Sequence, residues 1–110
     1  MTAALLVLTT CPDEGTADRI ALALVEKGLA ACVNRCGPVN SVYRWEGKVE
    51  RATELVLLIK TTRERYAELE QAIRHLHPYE LPEIIAVPIA AGHPGYLRWI
   101  GEQTTPPLIA

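Results

Sequence analysis

Val39-Asn40-Ser41-Val42-Tyr43-Arg44-Trp45-Glu46-Gly47-Lys48 is the stretch that decides the fold. Val39, Ser41, Tyr43 and Trp45 fall on one face of an extended strand. Glu46-Gly47 supplies a two-residue turn, after which Lys48 to Lys60 runs back antiparallel and ends in the apolar block Leu55-Val56-Leu57-Leu58-Ile59. Upstream, Ala31-Cys32-Val33-Asn34 belongs to the same outgoing arm, which is interrupted at Cys36-Gly37-Pro38. The centre of the chain is therefore a long hairpin, bent near Gly37-Pro38.

Working outward, Thr2 to Thr10 is a short apolar run that suits a buried strand. Asp13 follows Pro12 as an N-cap, and Ala17, Ile20, Ala21, Leu24 and Val25 keep helical spacing up to Gly28. On the other side of the hairpin, Thr61 with Glu64 reads as a capping box. Tyr66, Leu69, Ala72, Ile73 and Leu76 form the buried stripe of a second helix. That helix stops at His77-Pro78. The joint His77-Pro78-Tyr79-Glu80-Leu81-Pro82-Glu83 is rigid, because each proline fixes its own φ and pushes its predecessor out of the helical region.

Ile84 to Ile89 reads as a last strand, with Pro88 suited to an edge because it lacks a ladder donor. A short helix carrying Tyr96, Leu97, Trp99 and Ile100 follows, and the tail from Thr104 to Ala110 is not helical. The order β-α-β-β-α-β with a small C-terminal addition is a ferredoxin-like α+β fold. It predicts an antiparallel sheet with both long helices on one face. The whole chain, residues 1–110, is a single domain. In this topology Cys11, Asp13, His77, Tyr79, Glu80 and Glu83 share one end of the sheet. The first strand and hairpin carry more apolar residues on both faces than a monomer would show to water, which predicts self-association.

Net charge is -2 and the pI near 5.9, so no global positive field attracts phosphates, which argues against nucleic acid as the main partner. The run from Ala3 to Leu8 is too short to span a bilayer and lacks a basic leader. Three cysteines, Cys11, Cys32 and Cys36, suit a reducing compartment, and a cytoplasmic protein is expected. On a strand Cys32 and Cys36 stand about 13 Å apart and do not share a metal.

Several stretches resemble the CutA family of divalent-cation tolerance proteins. They are Thr9-Thr10-Cys11-Pro12-Asp13-Glu14, Leu24-Val25-Glu26-Lys27-Gly28-Leu29-Ala30-Ala31-Cys32-Val33-Asn34, Ser41 to Gly47, Lys60-Thr61, His77 to Glu83 and Tyr96-Leu97-Arg98-Trp99. The resemblance covers nearly the whole chain. It implies a ferredoxin-like protomer in a homotrimer and a role linked to copper and other divalent metals, with no enzymatic activity. It also implies an architecture like that of the PII signalling proteins, which bind small ligands between subunits.

Two residue sets follow. Cys11, just before a helix N-terminus where the dipole lowers a thiol pKa, joins His77 and Glu83 as candidate ligands for copper or another divalent cation. The competing readings make Cys11 a packed core residue and His77 a helix cap. Tyr43, Trp45, Lys60 and Tyr79 are candidates for binding a small ligand in a cleft between subunits, with Arg44 and Lys60 available to an anion. Against that stand aromatic packing and ion pairs with Glu50 or Glu54. A Cys-His nucleophile lacks an orienting third group, so the chain is read as a binding protein and not an enzyme.

Overall fold

Strand β1 spans Ala4–Cys11 and alternates between fully and partly buried residues, as the period of two requires. The computed structural model to which it belongs describes residues 2–106. Of the non-helical tail expected from Thr104 to Ala110, residues 107–110 lie outside that range. Helix α1 (Glu14–Glu26) opens where Asp13 accepts a hydrogen bond from the Thr16 backbone N–H at 2.8 Å. It closes at Gly28, whose φ of 67° lets the Leu29 N–H reach back to the Leu24 carbonyl.

Strands β2 (Cys32–Trp45) and β3 (Lys48–Thr62) form the long hairpin. Glu46 and Gly47 both have positive φ, 49° and 79°, as a tight turn between right-twisted strands demands. The register slips by one residue between Cys36 and Val39, at the cis Gly37-Pro38 bond, which is the bend expected there. Helix α2 (Arg63–Leu76), strand β4 (Ile84–Pro88) and helix α3 (Pro94–Gln103) complete the chain.

The sheet order is β2-β3-β1-β4, antiparallel throughout, and β4 with its Pro88 is an edge strand. Leu5, Val7 and Cys11 of β1 and Leu57 and Ile59 of β3 face α1 and α2. There they meet Ala17, Ile20, Leu24, Leu69 and Ile73 in one core. No helix of the described residues is long and apolar enough to cross a membrane. Helix α3 lies against β1 and β3. Its Tyr96 sits beside Cys32, on the sheet face opposite the long helices.

One local expectation changes. Thr61 is not a helix cap: it is buried at the end of β3, and its hydroxyl donates to the Leu29 carbonyl at 2.6 Å. The N-cap position falls on Thr62, which makes no side-chain capping bond. Residue parity explains the shift, because odd positions of β3 point into the core and Thr61 is one of them. His93, an exposed residue, caps α3, accepting at Nδ1 from the Tyr96 N–H at 3.1 Å.

Past the Cys11–Leu55 pair the hairpin continues alone. Seven residue pairs, from Val39–Glu54 to Trp45–Lys48, extend about 24 Å beyond β1 at strand rise. The register puts Val39, Ser41, Tyr43 and Trp45 on one face with Glu54, Ala52, Glu50 and Lys48, as the alternation predicted. Val42, Arg44, Val49 and Arg51 take the other face.

Candidate functional site

The joint after α2 is held by its histidine. His77 is buried, donates from Nε2 to the Thr10 carbonyl at 2.7 Å and accepts at Nδ1 from the Tyr79 N–H at 3.1 Å. A carbonyl can only accept and an amide N–H can only donate, so these partners set the tautomer with hydrogen on Nε2. The Tyr79 ring stacks obliquely on His77, with centroids 4.7 Å apart. Its hydroxyl crosses to the hairpin and donates to Glu54 Oε2 at 2.9 Å. A single line of contacts thus runs from β1 through the joint to the hairpin.

Between joint and hairpin lies a cleft of about 730 Å³. Tyr43, Trp45 and Tyr79 supply rings to its walls, and Glu54, Glu80 and Glu83 supply carboxylates. Thr10 and Ser41 add hydroxyls. Glu54 is only 7% exposed, and the sole hydrogen bond to its carboxylate among the described residues is the one from Tyr79. Among the described residues no lysine, arginine or histidine lines the cleft.

Three of the four residues expected to bind a small ligand, Tyr43, Trp45 and Tyr79, do meet here. Lys60 does not join them. It stands six positions from Glu54 on β3, about 20 Å along the strand, with its ammonium bonded to Asn34 Oδ1 and 3.8 Å from the Cys32 thiol. Arg44 faces away from the cleft, on the other side of the hairpin. An anion therefore finds no positive group in this site.

The proposed metal set is placed at one end of the sheet but does not converge. Among the described residues no three His, Cys, Asp or Glu side chains are arranged to hold a metal ion. Both nitrogens of His77 already serve the backbone. Cys11 is fully buried in the core, and its thiol is pushed up to about 11, first by burial and then by the negative Asp13 and Glu54. The helix N-terminus beside it does not overcome those effects. Glu83 alone of the three lines the cleft. A divalent cation coordinated by Cys11, His77 and Glu83 within one protomer does not fit this geometry. Glu54 was the residue missed: it reads in sequence as an ion-pair partner, and only its position across from Tyr79 makes it a buried carboxylate.

The buried acids give a pH prediction. Tyr79 is pushed up to about 12 by burial and by its hydrogen bond to the negative Glu54, and Cys11 to about 11 from an ordinary value near 9. For an acid whose folded pKa is raised, the unfolded chain loses its proton first as pH climbs, so the stability present at neutral pH is lost on the alkaline side. Urea midpoints should fall from about pH 9 upward, and Cys11→Ala should flatten the fall between pH 9 and 11. An unchanged profile in that variant would show that the thiol is not held protonated. At pH 8 a thiol reagent should label exposed Cys36 quickly and Cys11 only on unfolding.

The family model for the CutA1 divalent ion tolerance protein matches residues 5–103. The chain is 50% identical over 98 residues to the divalent-cation tolerance protein CutA of Thermus thermophilus, covering 89% of this chain and 95% of that one. The solved structure from that organism superimposes with a TM-score of 0.90 at 48% identity, over 92% and 98% of the two chains. A CutA homologue from Xenopus laevis is 46% identical over 84% of this chain, which spans 62% of that longer protein. The structure of a CutA from Archaeoglobus fulgidus, described as a periplasmic divalent cation tolerance protein, matches with a TM-score of 0.89. Its identity is 42%, over 92% of this chain and 98% of that one.

Proposed function

The chain belongs to the CutA1 divalent ion tolerance family, and from that premise we propose that it serves tolerance of copper or another divalent cation as a cytoplasmic homotrimer that binds its ligand and does not convert it. The observation that carries this reading is Glu54, a buried carboxylate facing the cleft with a tyrosine hydroxyl as partner and no basic side chain paired with it among the described residues. A buried charge is costly until it is paired. Glu80 and Glu83 lie on the same walls without converging on Glu54 as a three-ligand set, so a divalent cation bound here takes one or two of these carboxylates and completes its shell with water or a second copy. Three unpaired thiols, Cys11, Cys32 and Cys36, favour the reducing cytoplasm.

Self-association follows from the exposed hairpin. Val42 is 59% exposed and Val49 63%, on a two-stranded ribbon that is marginal in water by itself. The edges of β2 and β4 are both open, so one copy's hairpin can meet the next copy's β4 edge. Head-to-tail contacts of that kind close into a ring. A second reading, small-ligand sensing in the manner of the PII signalling proteins, is favoured by the size and aromatic walls of the cleft.

Copper and calcium titrations followed by calorimetry test the cation site. Glu54→Gln together with Glu83→Gln should weaken uptake of the bound cation at least about tenfold, the loss expected when charged donors are removed. Cys11→Ser should change it less than about twofold. Equal affinity in the double variant, or a large loss with Cys11→Ser, would refute the carboxylate site.

A further inference from the structure

The cleft is much larger than a metal ion requires. Its volume of about 730 Å³ falls in the range of sites that enclose small organic molecules. Its chemistry is also one-sided. Three carboxylates, Glu54, Glu80 and Glu83, and three aromatic rings, Tyr43, Trp45 and Tyr79, line it with no basic side chain among them. Aromatic faces carry negative potential and attract cations, most strongly where water is excluded. Pro78 and Leu81 add apolar wall.

From these features we infer that the cleft receives an organic cation, a protonated amine or guanidinium on an apolar stem, and rejects anions. The inference rests on the cleft being the working site and names a class of ligand for it. Tyr79 holds Glu54 Oε2 in place, which leaves Oε1 without a hydrogen bond among the described residues, to receive the cationic head. The stem lies between the tyrosine and tryptophan rings. Rejection of anions follows from the same residues, because a carboxylate or phosphate entering here meets three like charges and no compensating donor of positive charge.

One chemistry has two possible sources. A free amine supplies it, or a basic side chain of a second copy does. Arg44 and Arg51 are exposed on the reverse face of the hairpin with no acidic partner among the described residues.

Calorimetry with agmatine, and with succinate as the anionic control, distinguishes these cases on the assembled protein. Agmatine should bind the unaltered protein and bind at least tenfold more weakly to Glu54→Gln and to Trp45→Ala, and succinate should not bind. If agmatine is silent while Glu54→Gln, Arg44→Gln or Arg51→Gln lowers the mass by light scattering, the cation comes from a second copy and the inference stands. Agmatine binding that is indifferent to Glu54→Gln, any binding of succinate, or silence of agmatine with unchanged mass overturns it. Divalent-cation titrations on the same samples separate the two readings. Cation uptake lost in Glu54→Gln alongside silent agmatine and unchanged mass removes the organic ligand and keeps the metal site. Agmatine bound without any divalent-cation uptake does the reverse.

Discussion

His77→Ala is expected to lower stability by about 2–4 kcal/mol, from two lost hydrogen bonds at about 1 kcal/mol each and the uncompensated Thr10 carbonyl and Tyr79 N–H left behind. The substitution also releases Tyr79 from the ring it stacks on, and with it the hydroxyl that orients Glu54. Urea unfolding at fixed protein concentration measures the loss. His77→Gln and His77→Asn should each recover part of it, because glutamine can reach the Thr10 carbonyl and asparagine can accept from the Tyr79 N–H. The loss should be the same with and without EDTA. A loss that disappears in chelator would mean that His77 stabilises the fold through a metal, contrary to its two backbone bonds.

Ile59→Ala should cost roughly 3–5 kcal/mol, within the range for removing a large buried aliphatic side chain. Ile59 is fully buried on the inner strand β3, opposite Val7 of β1 and Val33 of β2, so the space it leaves cannot collapse without moving two neighbouring strands. Ile85→Ala, on edge strand β4, provides the contrast. Ile85 is 52% exposed in the single chain, and its truncation should cost less than about 1 kcal/mol there. The comparison also reports on assembly. If Ile85→Ala proves as damaging as Ile59→Ala at high protein concentration and mild at low concentration, the β4 face is covered by another copy, as the proposed ring requires. Equal mildness at all concentrations would take β4 out of the interface.

The alternation from Val39 to Trp45, the Glu46-Gly47 turn and the helical stripes of α1 and α2 carried the whole element order, because they depend on local periodicity and turn chemistry. The hairpin bend was legible at Gly37-Pro38 for the same reason. Motif order along the chain also sufficed to identify the family. Even the gathering of Cys11, His77, Tyr79, Glu80 and Glu83 at one end followed from strand direction alone.

What strand direction could not give was distance and partnership. Cys11 and His77 lie at the same end, yet strand parity turns the cysteine into the core, and at the exit of α2 the histidine's nitrogens are taken by Thr10 and Tyr79. Lys60 shares a sheet face with Glu54 but stands too far along the strand to share a ligand with it. Glu54 looks in sequence like any charge on a hairpin arm. Only the overhang of that hairpin past β1 brings it under Tyr79 and buries its carboxylate. The amino-acid sequence by itself determined the elements, their order and the family. The tertiary structure decided which polar groups are already satisfied by the backbone and which face an open cleft, since hydrogen-bond satisfaction depends on contacts between residues dozens of positions apart.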